Sequence, residues 1–190
     1  MGNSSSDGTI YEGDFKDNVK DGEGTLIWAN GDRYGGSFQN DNINGLGVHQ
    51  STCGRVYKGF FKDGKKSGMG EMILANGDSY KGEFVDNLLT GPNCDCLFSD
   101  GSRYQGAMAN SKKEGKGVFT WPSGERYEGE FKNCLRDGYG IYYYADGTMF
   151  KGMWKSDLEH GSGVIEKDGK VIEEGDWERG VKKNQTPGRN

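Results

Sequence analysis

Tyr57-Lys58-Gly59-Phe60-Phe61 and, 23 residues later, Tyr80-Lys81-Gly82-Glu83-Phe84 are two copies of one five-residue pattern. The pattern is an aromatic residue, a glycine two positions on and a second aromatic two positions further. Copies begin at positions 11, 34, 57, 80, 104, 127, 150 and 173, so the period is 23 residues with one step of 24. A fixed period in this range is typical of repeat architectures. The repeat accounts for most of the chain's 34 glycines and decides its fold.

Each copy alternates in character as a β-strand does. Its first, third and fifth positions share one face, and its second and fourth positions are mostly polar. The second half of the repeat alternates likewise, since Gly24, Leu26 and Trp28 share a face. No segment shows helical periodicity, so each repeat is predicted to be a hairpin.

The connections between these strands carry turn signals. The segment from Lys16 to Asp21 is polar and is predicted to be the longer, exposed connection. Two-residue hairpin turns need positive φ, which asparagine, aspartate and glycine adopt most readily. Such turns are predicted at Asn30-Gly31, Asn76-Gly77, Asp146-Gly147 and Asp168-Gly169.

A glycine in the middle of a strand weakens it and needs a reason. Flanked by aromatic residues on the same face, it leaves room for neighbouring rings to lie across the backbone. One sheet could then cover its own face without a second layer. We therefore expect an all-β fold: an elongated, twisted, single-layer antiparallel β-meander of about 15 strands, open-ended like a solenoid.

The period also divides the chain into segments. Residues 1–7 are expected to be a flexible N-terminal segment. Residues 8–180 form the repeat array, with seven full repeats and a terminal half-repeat, and residues 181–190 are expected to be a flexible tail. The aromatic framework that holds the array together is predicted to be Tyr11, Phe15, Tyr34, Phe38, Tyr57, Phe61, Tyr80, Phe84, Tyr104, Tyr127, Phe131, Phe150, Trp154 and Trp177.

The five-residue aromatic pattern is followed by Gly-x-Gly (Gly22 and Gly24 in the first copy), then by an apolar strand and Asn-Gly or Asp-Gly. This order of elements resembles the MORN repeat (membrane occupation and recognition nexus). The resemblance implies a single-layer antiparallel sheet with an aromatic-lined groove. In that family the repeats occur in junctophilins, plant phosphatidylinositol-phosphate kinases, a histone lysine methyltransferase, radial-spoke proteins and cytoskeletal scaffolds of parasitic protists. Where an enzyme is involved, its catalytic domain is separate from the repeats.

The chain departs from the family pattern in three places. Gly91-Pro92-Asn93 breaks the Gly-x-Gly of the 24-residue copy and predicts a kink or bulge there. Met108 replaces the second aromatic residue of its copy. Glu173 replaces the opening aromatic residue of the last copy, which suggests that its strand ends the array.

Composition excludes several classes of protein. Aromatic residues make up 12% of the chain, which is more than disordered chains carry. A net charge of −5 disfavours binding to nucleic acid. No apolar stretch approaches the roughly 18 residues of a membrane span, and no secretory signal is expected, because the first residues contain no apolar h-region. The four cysteines are expected to be reduced thiols in a cytoplasmic protein.

No group of residues indicates catalysis. His49 occupies an inward strand position and His160 a loop, and both are expected to be structural or solvated. Cys94 and Cys96 could share a strand face, but no second pair stands at zinc spacing, so free thiols are favoured. The glycine pairs precede no helix and are not phosphate loops. We expect no enzyme, metal or cofactor; convergent titratable groups in a closed pocket would reverse that expectation.

A one-layer sheet cannot hide all of its aromatic face, and contiguous exposed aromatics mark binding surfaces. Inward positions of the second strand vary between copies and are the candidates for specificity. The predicted partner-binding groove is Trp28, His49, Leu74, Phe119, Trp121, Tyr142 and Tyr144. The sequence therefore predicts a non-catalytic scaffold that binds an extended or helical segment of a partner protein. Its setting is expected to be a cytoskeletal, ciliary or membrane-associated assembly.

Two further expectations concern association. Met1-Gly2-Asn3-Ser4-Ser5-Ser6 fits the N-myristoylation pattern, with Gly2 as acceptor. The alternative function is thus a peripheral membrane adaptor, although one acyl chain binds only reversibly. The second signal would come from loop lysines, namely Lys62, Lys65, Lys66, Lys112 and Lys113, or from the basic tail with Arg179, Lys182 and Lys183. Bivalency, through dimerisation or a membrane-bound partner, could supply the rest of the affinity. Open edge strands also allow a homodimer.

Overall fold

The computed structural model describes Asn3, Ser4 and residues 7–183, with side chains from Asp7 onward. All regular structure in these residues is β-strand. No helix in the described part of the chain could cross a membrane. The chain divides into two compact units, residues 1–99 and 100–190.

The first unit is an antiparallel meander in which consecutive strands pair. Its strands are β1 (Asn3–Ser4), β2 (Ile10–Lys16), β3 (Val19–Ile27), β4 (Arg33–Gln39), β5 (Asn42–Gln50), β6 (Val56–Lys62), β7 (Lys65–Ile73), β8 (Ser79–Val85) and β9 (Leu88–Leu97). The hairpins follow the sequence repeat, which confirms the predicted all-β meander.

The second unit repeats this plan. Its strands are β10 (Arg103–Ala109), β11 (Lys112–Thr120), β12 (Arg126–Lys132), β13 (Leu135–Tyr143), β14 (Met149–Lys155), β15 (Leu158–Lys167), β16 (Lys170–Glu178) and β17 (Val181–Lys182). Glu173 lies on β16, and the two-residue β17 pairs with that strand. One short strand therefore lies beyond the predicted end of the array.

The turn assignments were wrong in most places. The tight two-residue turn lies between Lys16 and Val19, where Asp17 and Asn18 both have positive φ, +52° and +65°. This pair of angles defines the type I′ hairpin turn. Equivalent pairs close every later hairpin: Asn40-Asp41, Asp63-Gly64, Asp86-Asn87, Asn110-Ser111, Asn133-Cys134, Ser156-Asp157, Asp168-Gly169 and Arg179-Gly180.

Asn30-Gly31 belongs instead to a five-residue connection, because only its glycine has positive φ. The Trp28 carbonyl accepts the Gly31 N–H at 2.8 Å, and the Trp28 N–H donates to the Asp32 carbonyl at 2.9 Å. Asn76-Gly77 and Asp146-Gly147 lie in equivalent connections. Among the four predicted two-residue turns, only Asp168-Gly169 is confirmed.

The central glycines make room for tyrosine rings, as predicted. Gly13 pairs with Gly24 across β2 and β3, and the Tyr11 ring lies over this pair. A Cβ on Gly24 would overlap the ring. The Tyr11 hydroxyl then donates to the Asp14 carbonyl at 2.9 Å. The same bond to the carbonyl three residues on is made by Tyr34, Tyr57, Tyr104 and Tyr127.

Ring-to-ring contacts join one hairpin to the next. Tyr34 meets Phe38 of its own strand and Phe61 of the next repeat edge-on, with centroids 5.3 and 5.1 Å apart. This T-shaped geometry is the favoured one for aromatic pairs. The framework aromatics are buried except for Tyr80, which is half-buried, and Phe15, which is 43% exposed in the first repeat. Met108 is buried in its aromatic position.

The 24-residue repeat contains the predicted bulge. In the first hairpin one residue, Asp14, faces three residues of β3 between paired positions. In the hairpin of β8 and β9, Gly82 faces four residues, 91–94, between the pairs Lys81–Asp95 and Glu83–Thr90. The extra residue of this repeat is therefore accommodated in the bulge.

Candidate binding groove

The face that carries the tyrosines and the central glycines is here called the aromatic face. His49 pairs with Tyr34, Phe119 with Tyr104, and Tyr142 with Tyr127. Trp28, Leu74, Trp121 and Tyr144 come one position beyond a strand end and open the five-residue connections. All seven predicted groove residues are half-buried on or beside this face.

The second unit brings four of them together in one continuous series. Ring centroids are 4.6 Å apart for Phe119 and Trp121, 5.3 Å for Trp121 and Tyr142, and 4.7 Å for Tyr142 and Tyr144. The Tyr144 hydroxyl donates to Glu159 Oε1 at 2.9 Å. This series, Phe119–Trp121–Tyr142–Tyr144, is called the aromatic ladder below. Its rings are fixed by their neighbours and keep part of their surface open.

The first unit arranges its predicted residues differently. The Trp28 and His49 rings meet edge-on, with centroids 5.4 Å apart. Both line a cavity of about 320 Å³ together with Tyr57, Phe61 and Met72. Leu74 is not among the lining residues. The predicted residues thus form a ladder in one unit and part of a cavity wall in the other.

Sequence reasoning missed a row of cations on the aromatic face. Lys66 Nζ lies 5.3 Å from the centroid of the Tyr57 ring, Lys113 Nζ lies 4.5 Å from that of Phe119, and the Arg136 guanidinium lies 4.3 Å from that of Trp154. Cations at these distances are attracted to the ring faces. The sequence does contain a signal for this row, since a basic residue stands nine positions after the opening tyrosine of these repeats. Its place on the aromatic face can be predicted only when the tight turn is assigned to the correct residues.

These positions correct the assignment of loop lysines. Lys66 and Lys113 lie within β7 and β11 and reach over aromatic rings. Lys62 ends β6, and Lys65 and Lys112 begin β7 and β11. The tight turns leave only two residues between strands, so these lysines are strand residues. Lys182 belongs to β17, and Gly2 lies outside the described residues.

Burial tunes the titratable groups of this face. It raises the pKa of Tyr57 to about 12, so that phenol stays protonated and donates to the backbone. Burial lowers the pKa of His49, with the charges of Lys66 and Arg55 adding to the effect. Burial also lowers the pKa of Lys66, as does the charge of Arg55. These shifts follow from partial desolvation of the groups.

The remaining candidate groups are dispersed. His160 was wrongly assigned to a loop; it lies on β15 and is half-buried. Cys94 and Cys96 are buried, and the Cys94 thiol donates to the Thr90 carbonyl at 3.2 Å. None of the four cysteines, all of which lie among the described residues, forms a disulfide. No three His, Cys, Asp or Glu residues in the described ranges converge as metal ligands would.

Comparison with known proteins yields a family match. The family model described as the MORN repeat matches residues 11–33, 34–52, 57–79, 80–92, 104–126, 127–149 and 150–169. No curated protein gives a significant sequence match.

Solved structures give more distant likenesses. The SAS-4 TCP domain of Drosophila melanogaster, in complex with a proline-rich motif of Ana2, is 13% identical, with 78% of this chain and 80% of that chain covered and a TM-score of 0.47. The TCP10c domain of Drosophila melanogaster Sas-4 is 10% identical over 90% and 95% of the chains, with a TM-score of 0.44. The TCP10 domain of Danio rerio CPAP is 17% identical over 93% and 100%, with a TM-score of 0.33.

Proposed function

Because the chain belongs to the MORN-repeat family, we propose that it is a non-catalytic scaffold that binds one segment of a partner protein along its aromatic face. The observation that carries this proposal is the aromatic ladder of the second unit. Single exposed aromatic residues need no explanation, whereas a contiguous series of them marks a binding surface. Tyrosine and tryptophan are also the residues that most often dominate binding energy.

The side chains of the ladder are preorganised for binding, because neighbouring side chains hold them in place. Tyr142 packs between Trp121 and Tyr144 and lies 6.0 Å, centroid to centroid, from Trp154. The Arg136 guanidinium, 5.3 Å from the Tyr142 ring centroid, supports it from the side. Side chains that are already ordered lose little conformational entropy when a partner binds. An extended strand or a helix presenting apolar side chains fits such a surface.

The test replaces the outer rings of the ladder and compares them with an aromatic residue on the opposite face. The variant carries Trp121→Ala and Tyr144→Ala; the control is Tyr139→Ala, which removes a side chain that is 51% exposed on β13. We expect affinity for co-purified partners to fall more than about tenfold in the double variant, since anchor residues contribute about 2 kcal/mol or more. The control should retain the partners.

Circular dichroism spectra of both variants establish that the strands persist. A folded double variant that keeps every partner at wild-type affinity would contradict binding at the ladder. We further propose a cytoplasmic location in a cytoskeletal, ciliary or membrane-associated assembly. Proximity labelling in cells would identify the neighbours and test that setting.

A second function follows from the first six residues of the sequence. We propose that Gly2 is myristoylated and helps to hold the protein at a membrane surface, with weak contacts to anionic lipid from its lysines. Intact mass after co-expression with N-myristoyltransferase should show the adduct in wild type and not in Gly2→Ala. Absence of the adduct, or an unchanged membrane fraction in Gly2→Ala, would end this proposal.

Self-association is proposed at an edge strand. Val171 and Ile172 on β16 are exposed, and within the described residues β17 pairs with the far end of this strand, at Trp177 and Glu178, while the Lys183 N–H donates to the Asp176 carbonyl. Exposed apolar edges pair with other chains unless they are blocked. Light scattering should show a dimer in wild type and a monomer in Ile172→Lys. A wild-type monomer at high concentration would contradict it.

A further inference from the structure

The cavity of the first unit combines apolar walls with positive charge. Trp28, Tyr57, Phe61 and Met72 line its apolar part, and Lys66 and Arg55 also face it. Its volume of about 320 Å³ is in the range of sites that hold small molecules or single side chains. All its lining residues belong to the first unit.

Lys66 differs from two of its equivalents, Lys20 and Arg136, by the residue 21 positions later, whereas Lys113 is followed at that distance by Cys134. Lys20 is followed by Asp41, which accepts the Lys20 backbone N–H at 2.9 Å and lies 3.5 Å from its ammonium. Arg136 is followed by Asp157, which accepts its backbone N–H at 2.8 Å and its Nε–H at 3.2 Å. In both repeats one carboxylate caps the turn and neutralises the cation.

At Lys66 the equivalent residue is Asn87. Its Oδ1 accepts the Lys66 backbone N–H at 2.9 Å, so the cap is preserved, but an amide carries no charge. The Lys66 ammonium contacts the Met72 sulfur at 3.5 Å and the Tyr57 ring. Among the described residues it makes no ion pair with a carboxylate. A half-buried ammonium without a counter-ion costs free energy that an incoming anion would recover.

The other charged groups of the cavity do not cancel this charge. Asp32 is its acidic residue, and Asp32 Oδ1 already accepts hydrogen bonds from the Ser51 hydroxyl and from the Thr52 N–H and hydroxyl. Arg55 Nε donates to the Cys53 sulfur at 3.1 Å. Burial lowers the pKa of His49, against the opposing charge of Asp32, and so favours its neutral form. Two cations, Lys66 and Arg55, thus face one acid among the lining residues, and the partly ionised Cys53 thiol beside Arg55 offsets the excess positive charge only in part.

We propose that this cavity receives a carboxylate side chain, with an apolar residue beside it, from the partner segment that binds the aromatic face. The carboxylate pairs with Lys66 and Arg55, and the neighbouring apolar side chain packs against Trp28 and Met72. This proposal rests on the proposed scaffold function and adds the partner's chemistry. The net charge of the whole chain is −5, so the chain as a whole does not attract anions, and the proposal confines recognition of the carboxylate to this cavity.

The experiment selects 12-residue peptides from a randomised phage-displayed library on the full-length protein. Three variants are used in parallel. Asn87→Asp supplies the internal carboxylate that Asp41 and Asp157 supply elsewhere, and Lys66→Gln removes the cation. Lys65→Gln is the control, because Lys65 is exposed and pairs with Asp86. Circular dichroism verifies that each variant is folded.

Each selected peptide is then compared with its Glu→Gln or Asp→Asn counterpart by fluorescence anisotropy. We expect the neutral counterpart to bind about tenfold more weakly to wild type and to Lys65→Gln, as expected for loss of a charged hydrogen bond. The difference should fall below about twofold on Asn87→Asp and Lys66→Gln.

The outcomes separate the two proposals. Peptides that bind wild type with no preference for acidic residues, or whose preference survives in Asn87→Asp, overturn the carboxylate site and leave the scaffold function standing. Peptides whose acidic preference is unaffected by Lys66→Gln do the same. A library that yields no binder to any folded version overturns this inference and counts against the scaffold function as well.

Discussion

The hairpin of β6 and β7 and the hairpin of β8 and β9 share one sequence pattern but fill their interiors differently. In the first, the Tyr57 ring covers Gly59 and Gly70, and its hydroxyl donates to the Phe60 carbonyl at 3.1 Å. In the second, the space over Gly82 is taken by other side chains. A Cβ on Gly82 would lie 2.9 Å from the Cys94 sulfur and 3.0 Å from a Leu89 methyl group.

The difference shows that the space over the central glycine is filled in both hairpins, although a tyrosine ring fills it in only one of them. Asn93 stands 23 residues after Gly70, so the fourth repeat lacks the second glycine that a tyrosine ring needs. Tyr80 is consequently half-buried, and its hydroxyl points to Asp78 Oδ2 at 3.4 Å. Cys94 and Leu89 are each 2% exposed and supply the missing packing.

The largest effect is expected from emptying that volume. Leu89→Ala should lower the free energy of unfolding by about 2–5 kcal/mol, because it removes a fully buried side chain. The equivalent residue in the regular hairpin is Lys66, and Lys66→Ala should cost less than about 1 kcal/mol. Urea denaturation of both variants measures the difference. Equal losses would show that the fourth hairpin is not packed around Leu89.

A second effect concerns the glycine under the tyrosine ring. Gly70→Ala would place a Cβ within 2.7 Å of two carbons of the Tyr57 ring, so the ring or the backbone must move. Overpacking of this kind costs about 1–3 kcal/mol. Gly35→Ala is the matched control, since its Cβ would come no closer than 3.9 Å to Thr25. Comparable destabilisation by both, measured by thermal unfolding, would contradict the close fit of ring on glycine.

A smaller difference in stability is expected between removing the hydroxyl of Tyr57 and removing that of Tyr80. Tyr57→Phe leaves the Phe60 carbonyl without its hydroxyl partner and should cost about 1 kcal/mol. Tyr80→Phe removes only a long contact to the half-buried Asp78 carboxylate and should change stability by less than about 0.5 kcal/mol. Denaturant midpoints report both values. A larger loss at Tyr80 would mean that this ring keeps the regular role.

The smallest expected effect is a difference in reactivity between two cysteine thiols. Cys94 fills the bulge, and burial raises the pKa of its thiol. Cys53 is exposed, and hydrogen bonds from Ser51 and Arg55 lower its pKa to about 7. At pH 7 a thiol reagent should therefore label Cys53 quickly and Cys94 only on unfolding.

Mass mapping of the labelled peptides identifies the sites. The rate at Cys53 should rise through pH 7, as the thiolate forms, and Arg55→Gln should move this rise to higher pH. Rapid labelling of Cys94 in the folded protein would show that the bulge is open.

The repeat pattern was sufficient for the strands and for the framework. Alternation in Tyr11-Glu12-Gly13-Asp14-Phe15 predicted which residues face inward, and the glycine under each ring followed from the same alternation. The tight turns were misplaced because Asn30-Gly31 carries the familiar hairpin signal, whereas Asp17-Asn18 adopts two positive φ angles without a glycine. Asparagine and aspartate tolerate this conformation, so local sequence alone did not separate the two connections.

Only part of the groove could be predicted from the sequence. The spacing predicted inward aromatic positions such as Trp121 and Tyr142. The cation row could not be predicted, because placing Lys66 and Arg136 over aromatic rings requires the correct turn and therefore the correct register. A shift of one residue in register would move every side chain to the other face.

The sequence by itself determined the period, the strand alternation and the family, because each repeat uses the same local chemistry of aromatic residues around a glycine. Only the tertiary structure decided which half of each repeat is closed by the tight turn and what fills the fourth hairpin. It also decided which cations stand beside a carboxylate. Those features depend on pairing between residues far apart in the chain, such as Lys66 and Asn87. Their distances are set by cross-strand packing and hydrogen bonding, which the one-dimensional pattern does not contain.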